Sequence, residues 1–230
     1  MTRRQRGKRR AHEKREAPPA SKPRAAPQSG QANHRRARAA LERATRGTPN
    51  DFQLRAWDAI AAAKDTLLVA PTGTGKTFAA VLPILELRDA WPEPHATLTT
   101  RVLYLVPTRE LAKQVGQACA PMTELHGLQL AVVVGGEPRE AQKVAMSQSE
   151  VLIGTPGRLL DLLHLDPGPG PTPCPSLASV RYVVVDEADK MLQMGLRAQV
   201  ETILGATPAG RQLVFATATA SDPAYGSLSE

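Results

Sequence analysis

The sequence predicts an α/β domain with a mostly parallel β-sheet covered by helices on both faces. Three observations support this fold class. Apolar runs of strand length alternate with helical stretches from residue 48 onward, which is typical of βαβ units. A glycine-rich turn at residues 70–77 joins the first apolar run to a helical stretch. Polar clusters directly follow each of the six apolar runs, as expected where the carboxyl ends of parallel strands share one edge.

The apolar, β-rich runs predict six strands. They lie at 66–70, 102–106, 129–134, 151–153, 181–185 and 212–216. Between them the spacing of apolar residues predicts helices near 53–63, 76–89, 108–121, 138–146, 156–164 and 187–204. The proline-rich segment 166–175 is expected to be a surface loop.

Composition indicates one large domain with an appendage. The chain has 230 residues, 42% of them hydrophobic but only 3% aromatic, so an aliphatic core is expected. No apolar run approaches the ~18 residues of a membrane span. Cys119 and Cys174 show no disulfide or metal spacing, and the five histidines do not cluster. We therefore expect a reducing, cytoplasmic location with no membrane partner and no zinc. The sequence does not determine the oligomeric state, and a monomer is the default expectation.

The basic charge lies in one part of the chain. Residues 1–46 carry 15 basic and 3 acidic side chains, whereas 47–230 carry 14 and 19. Residues 1–36 contain no aromatic residue and no Ile, Leu or Val, so they cannot bury enough apolar surface to fold. We therefore predict a disordered basic tail at 1–46, with a possible short helix from Ala37 to Arg46, and a domain at 47–225. The tail is either an electrostatic arm for nucleic acid or a solubilising spacer.

The glycine-rich turn reads A-P-T-G-T-G-K-T and predicts a nucleotide phosphate site. A turn between a strand and a helix N-terminus directs backbone N–H groups and the helix dipole at an anion. Lys76 is expected to reach the β/γ-phosphates, and the Thr77 hydroxyl to ligate Mg²⁺. The predicted nucleotide-binding residues of this turn are Ala70, Thr72, Gly73, Thr74, Gly75, Lys76 and Thr77.

The other polar clusters add the chemistry of phosphoryl transfer. Asp186 and Glu187 follow the buried run 181–185. A single carboxylate with the phosphates suffices for Mg²⁺, so Asp186 is the candidate metal ligand. Glu187 is the candidate general base for the attacking water. Acidic residues also favour a helix N-terminus, but this alone does not explain an acid directly after four apolar strand residues.

Taken together, the motifs resemble the first RecA-like lobe of a DEAD-box RNA helicase over residues 48–220. The similar stretches are A-P-T-G-T-G-K-T, P-T-R-E-L-A, G-G, T-P-G-R and Asp186-Glu187-Ala188-Asp189. A strict phosphate loop begins with glycine, whereas this family's loop begins with alanine, as Ala70 does here. The resemblance implies an ATP-dependent RNA helicase that uses ATP and Mg²⁺ and binds RNA without reading its sequence.

The resemblance also implies further roles. Gln53 corresponds to the glutamine that reads adenine. Thr217 and Thr219, with Asp189, would couple hydrolysis to strand separation, so the implied catalytic set is Lys76, Asp186, Glu187, Thr217 and Thr219. The residues that would grip the RNA backbone are Pro107, Thr108, Arg109, Gly136, Thr155, Gly157 and Arg158. Thr155 and Pro156 could instead serve only as a helix cap and first helical position.

The sequence departs from the family at four places. The glutamine motif reads Pro49-Asn50-Asp51-Phe52-Gln53, and Arg36 stands where the family has an aromatic that stacks on adenine. Thr217-Ala218-Thr219 replaces the usual S-A-T. The chain ends at Glu230, and the family's second lobe, with its arginine finger worth ~10³–10⁵ in rate, is not in it. We expect an excised lobe or a truncated frame with little hydrolysis of its own.

Two function classes remain open from the sequence. One is the N-terminal part of an ATP-dependent RNA helicase, and the other is a nucleotide- and RNA-binding module that lacks unwinding activity. A DNA helicase is a third and weaker alternative, because only the quartet and the P-T-R-E-L-A and T-P-G-R stretches favour RNA.

Overall fold

A computed structural model describes residues 30–45, 47–88, 91, 100–163 and 176–219. The expected surface loop at 166–175 and the first 29 residues of the predicted tail lie outside the described residues. Within the described part of the chain, no helix is long and apolar enough to cross a membrane.

In the described residues, six parallel strands form one sheet, which confirms the predicted fold class. The strands are β1 (Thr66–Val69), β2 (Val102–Leu105), β3 (Leu130–Val133), β4 (Val151–Gly154), β5 (Tyr182–Asp186) and β6 (Gln212–Thr217). Their spatial order is β1-β6-β5-β2-β4-β3, and every neighbouring pair is parallel. Both faces of the central strands are buried, which explains why β2 and β5 read as continuous apolar runs.

Eight helices in the described residues cover the two faces of the sheet. They are α1 (Gly30–Thr45), α2 (Asp51–Ala61), α3 (Lys76–Glu86), α4 (Arg109–Leu125), α5 (Arg139–Ser147), α6 (Pro156–Leu163), α7 (Ala188–Gln193) and α8 (Arg197–Gly205). Helices α1 to α4 bury their apolar residues in one cluster, and α5 to α8 contribute to a second. Alternate residues of β2 and β5 enter opposite clusters, so the sheet separates two aliphatic cores.

Helix α1 corrects the predicted boundary of the tail. Residues 30–45 are helical, so the helix is longer than the possible one from Ala37 to Arg46, and its buried residues pack on the domain rather than belonging to a disordered tail. Ala37, Ala40 and Leu41 are at most 2% exposed and join the cluster formed by α2 and α3. Their i, i+3, i+4 spacing places three small or aliphatic side chains on one helix face. Composition averaged over the basic segment concealed this stripe.

A second correction concerns the stretch 187–204, which was predicted as one helix. The structure has two helices, α7 and α8, separated at Gly195, where φ is +72°. The Leu196 amide donates to the Met191 carbonyl at 2.9 Å, and the Gly195 amide donates to the Leu192 carbonyl at 3.0 Å. This pair of bonds is the Schellman motif, which requires a left-handed residue just past the helix end. Gly195 therefore ends α7.

Candidate active site

The sheet order divides the polar clusters into two groups. The adjacent strands β1, β6 and β5 carry the phosphate loop, Thr217-Ala218-Thr219 and Asp186-Glu187-Ala188-Asp189. The adjacent strands β2, β4 and β3 carry the three clusters that begin at Pro107, Thr155 and Gly135. All six clusters follow the carboxyl ends of parallel strands, where ligands bind in open α/β sheets. We call these groups the β1–β6–β5 half and the β2–β4–β3 half.

The phosphate loop is shaped by two glycines. Gly73 and Gly75 have φ values of +83° and +81°, a region that other residues enter at a cost. Lys76 begins α3, and its Nζ donates to the Ala70 carbonyl at 2.6 Å and to the Pro71 carbonyl at 3.0 Å. The lysine side chain therefore folds back over the loop. Thr72 and Thr74 complete the turn.

Gln53 lies against this loop, at the start of α2. Its backbone N–H donates to Asn50 Oδ1 at 2.9 Å, while its Oε1 accepts from the Asn50 amide at 3.1 Å. This is a capping box, so Asn50 caps α2 through its side chain. A Cβ on Gly75 would approach Gln53 Nε2 to 2.5 Å. The glutamine is thus packed onto the loop, with its amide nitrogen towards Gly75.

Asp186 ends β5 and is only 4% exposed. Its Oδ2 accepts a hydrogen bond of 2.7 Å from the Tyr104 hydroxyl, and its Oδ1 accepts one of 2.9 Å from the Glu187 amide. Burial raises the pKa of Asp186, and these two bonds oppose the shift. Burial raises the pKa of Tyr104 well above 10, and the neighbouring Asp186 adds to the rise.

Glu187 has φ of +49° and ψ of +45°, which is unusual for a residue with a side chain and costs of order 1–3 kcal/mol. Its Oε1 accepts from Lys190 Nζ at 2.8 Å. This bond raises the pKa of Lys190. The left-handed conformation turns the chain sharply between β5 and α7, and Glu187 remains one-fifth exposed in its side chain. An accessible carboxylate next to Asp186 suits the general-base role predicted for it.

Thr217, Thr219 and Asp189 form one connected group. Thr217 is fully buried, its hydroxyl donates to the Thr219 carbonyl at 3.1 Å, and it accepts from the Thr219 amide at 3.2 Å. The Thr219 hydroxyl lies 3.2 Å from Asp189 Oδ2. The Thr217 carbonyl accepts from the Ala70 amide at 3.1 Å. The end of β6 is therefore bonded both to the phosphate loop and to the acidic quartet.

In the β2–β4–β3 half, Arg109 is positioned by glycine backbone. Thr108 caps α4 by accepting from the Leu111 amide at 3.2 Å, and the buried Pro107 precedes it. The exposed Arg109 packs on the turn after β3, where a Cβ on Gly136 would lie 2.7 Å from its Nη1. Gly136 also has a φ of +87°. The positive φ favours glycine at this position, and a Cβ there would displace the Arg109 guanidinium.

Arg158 lies beside the same turn. Its Nη2 donates to the Glu137 carbonyl at 3.0 Å, and its Nη1 lies 3.7 Å from Asp161 Oδ2. The Nη1 atom is buried and has no hydrogen-bond partner among the residues that the structure describes. Thr155 directly precedes α6, and Pro156 is the first residue of that helix, a position at which proline is favoured. Gly157 is exposed.

Two further positions were not foreseen from the sequence. Arg36, which stands where the family has an aromatic, pairs with Glu86: its Nε is 3.3 Å from Glu86 Oε2, at the end of α3 remote from the phosphate loop. The length of α3, about 15 Å, separates this ion pair from the phosphate loop. Tyr104 was not singled out from the sequence. The only signal for it is one hydroxyl-bearing side chain in the otherwise apolar strand Val102–Leu105.

The residues present fit a magnesium–nucleotide complex. Thr77 and Asp186 carry the hard oxygen ligands that Mg²⁺ prefers, Thr77 in the first turn of α3 after the phosphate loop and Asp186 at the end of β5. The loop before them has the left-handed glycines that let backbone N–H groups surround a phosphate. A parallel sheet with this loop on its first strand and a carboxylate at the end of a central strand defines a RecA-like nucleotide-binding lobe.

Comparison with known proteins specifies this class. The DEAD/DEAH box helicase family matches residues 50–225. Among curated proteins, the ATP-dependent RNA helicase DBP3 of Yarrowia lipolytica is 39% identical over 177 residues, covering 74% of this chain and 30% of that protein. The protein of the same name from Saccharomyces cerevisiae is 37% identical over 174 residues, covering 74% and 31%.

Solved structures show the same relationship. The yeast DEAD-box splicing factor Prp28 has a TM-score of 0.70 at 28% identity, covering 82% of this chain and 44% of that one. A hypothetical ATP-dependent RNA helicase from Sulfolobus tokodaii has a TM-score of 0.64 at 30% identity, covering 79% and 50%. The chain belongs to the DEAD/DEAH box helicase family. It spans about a third of the length of the curated relatives it matches.

Proposed function

We propose that this chain is the N-terminal ATP-binding lobe of a DEAD-box ATP-dependent RNA helicase, which binds ATP–Mg and the RNA backbone and contributes half of the hydrolysis site. The observation that supports this most is the adjacency of β1, β6 and β5. It brings the phosphate loop, the threonine pair and the acidic quartet together at one half of the sheet edge. The relatives named as RNA helicases support the choice of substrate.

Each residue of the β1–β6–β5 half then has a role at the nucleotide. Lys76 and the loop amides bind the β- and γ-phosphates, and Gln53 selects adenine through its amide. Thr77 and Asp186 would hold Mg²⁺, which neutralises charge on the phosphates when bound. Glu187 orients the attacking water and accepts its proton. The Thr217–Thr219–Asp189 group ties movement of the phosphate loop to the end of β6.

The β2–β4–β3 half would bind RNA through its backbone. Arg109 and Arg158 supply cations for phosphates, and the exposed glycines Gly136 and Gly157 allow close approach of the sugar–phosphate chain. Pro107, Thr108 and Thr155 shape the loops that present them. Contacts to phosphate and 2′-hydroxyl carry no base information, so binding would not depend on sequence. The basic residues before α1 add affinity that falls with salt.

The proposal is tested by binding of a fluorescent ATP analogue with Mg²⁺. We expect saturable binding that Lys76→Ala abolishes and that Lys64→Ala retains, because exposed Lys64 precedes β1 at the opposite end of the strand. Binding that is equal in wild type and Lys76→Ala would overturn the nucleotide site. Affinities for matched RNA and DNA strands with a non-hydrolysable ATP analogue test the substrate, and stronger binding to DNA would reject RNA.

The second candidate is a nucleotide- and RNA-binding module with no unwinding activity of its own. It is favoured by the short span of the chain relative to its relatives. RNA-stimulated ATP hydrolysis separates the two. We expect near-background turnover and no strand separation by this chain alone, whereas robust turnover that Lys76→Ala abolishes would favour a self-sufficient ATPase.

A further inference from the structure

Tyr104 lies where the two halves of the sheet edge meet. It is on β2, next to β5, and its register partner there is Val184. Asp186 is two residues further along β5 and faces the same side of the sheet, because side chains alternate along a strand. A diagonal neighbour at this spacing is within reach of an aromatic side chain but not of a short one. The ring is 1% exposed, so its hydroxyl is delivered to Asp186 from within the core.

The hydroxyl completes the hydrogen bonding of a buried carboxylate. Tyr104 donates to Asp186 Oδ2 at 2.7 Å, and the Glu187 amide donates to Oδ1 at 2.9 Å. Because each carboxylate oxygen accepts one hydrogen bond, both bonds oppose rotation of the carboxylate about Cβ–Cγ. A buried anion that loses such a donor keeps the cost of its lost hydration.

We propose that Tyr104 is a positioning residue for the magnesium site: its hydroxyl donates a hydrogen bond to Asp186 Oδ2 and holds the carboxylate so that its remaining lone pairs face the metal. The role rests on the proposed function of the site. Partners that orient metal ligands from behind typically change metal affinity by 10–100-fold when removed. Tyr104→Phe removes only the hydroxyl and retains the ring that fills the core.

The test is a Mg²⁺ titration of the chain with a fluorescent ADP analogue, comparing wild type, Tyr104→Phe and Tyr182→Phe. The control also removes the hydroxyl of a buried tyrosine, but at the opposite end of β5. We expect Tyr104→Phe to raise the Mg²⁺ midpoint by about tenfold while ADP affinity in EDTA changes less than about twofold. Tyr182→Phe should leave the midpoint unchanged.

A spectroscopic measurement on the folded wild type accompanies this titration. Saturating Mg²⁺–ADP should change the near-ultraviolet tyrosine absorption, and Tyr182→Phe should retain the change. Equal midpoints for wild type and Tyr104→Phe, or a wild-type tyrosine spectrum that does not respond, would overturn the role of Tyr104 alone. Absence of Mg²⁺-dependent nucleotide binding by the wild type would overturn the proposed function and this role with it.

Discussion

The two halves of the sheet edge hold their polar side chains in different ways. In the β1–β6–β5 half these groups bond to one another or to nearby carbonyls: Lys76 to Ala70 and Pro71, and Thr219 to Asp189. In the β2–β4–β3 half, Arg158 also donates to a carbonyl, that of Glu137, at 3.0 Å, but Arg109 instead packs on the glycine turn at Gly135–Gly136.

This difference predicts how each half would respond to a ligand. Under the proposed function, nucleotide binding at the β1–β6–β5 half would draw Lys76 Nζ from the Ala70 and Pro71 carbonyls towards phosphate oxygens. In the proposed RNA binding at the β2–β4–β3 half, Arg109 would contact a phosphate from its position over the glycine turn. We therefore expect nucleotide binding to depend on bonds that rearrange, and RNA binding to depend on glycines that allow close packing.

The largest loss of nucleotide affinity is expected from Gly75→Ala in the phosphate loop. A Cβ there combines a left-handed φ with a 2.5 Å approach to Gln53. Strain alone costs roughly 1–2 kcal/mol, and with the clash we expect nucleotide affinity to fall by about a hundredfold. Gly73→Ala is the matched control, because its φ is similar but nothing lies within 4 Å of its Cβ. Nucleotide titrations in which the two variants behave alike would contradict a role for the Gln53 contact.

Leu41→Ala tests whether α1 stabilises the domain without contributing to nucleotide or RNA binding. Leu41 is fully buried in the cluster with α2 and α3, so its truncation should lower the free energy of unfolding by about 2 kcal/mol or more. Urea unfolding measures this change, and nucleotide and RNA affinities should remain within about twofold below the transition. An unfolding midpoint equal to that of the wild type would show that α1 does not pack on the domain.

Gly136→Ala should weaken RNA binding and leave nucleotide binding intact. The added Cβ would lie 2.7 Å from Arg109 Nη1, so the guanidinium must move, and loss of one charge-assisted contact is worth about tenfold in affinity. Gly195→Ala is the control for strain alone, since it also has positive φ but open space around its Cβ. Equal RNA affinities of Gly136→Ala and Gly195→Ala in an anisotropy titration would contradict a role of the Gly136–Arg109 contact in RNA binding.

The smallest expected effect is a pH dependence of the protein's stability, caused by Glu137, next to Gly136. The hydrogen bond from Lys113 and then that from Gln142 lower its pKa below the usual 4.5. A lowered folded-state pKa stabilises the protein above pH 4.5, and the contribution disappears as the pH falls through the folded-state value. Glu137→Gln should therefore be less stable than wild type at pH 6 and converge with it near pH 3. Urea midpoints that differ equally at both pH values would contradict this assignment.

The sequence predicted the strands and their polar clusters because both signals are local. An apolar run followed by glycine, acid or threonine can be recognised without knowing its neighbours. The sequence did not predict that β6 inserts between β1 and β5, since strand order depends on pairings between distant residues. The division of the edge into two halves follows from that order, so it also required the structure.

The corrections have the same physical origin. The stripe Ala37, Ala40 and Leu41 gains stability only from the surface of α2 and α3, which composition cannot show. Arg36 is directed by Glu86, fifty positions away in the chain. Tyr104 reads as an ordinary strand residue until its register with β5 places Asp186 beside it. In contrast, the Gly195 stop between α7 and α8 is a local signal that the prediction of one helix overlooked.

The most direct test of the division is a chemical-shift map of the ¹⁵N-labelled chain, titrated separately with a non-hydrolysable ATP analogue plus Mg²⁺ and with single-stranded RNA. The account predicts that nucleotide perturbs amides of the phosphate loop, residues 186–189 and residues 217–219. RNA should perturb amides near 107–109, 135–137 and 155–158. RNA perturbations concentrated in the phosphate loop, or nucleotide perturbations concentrated at the Gly135–Gly136 turn, would contradict it.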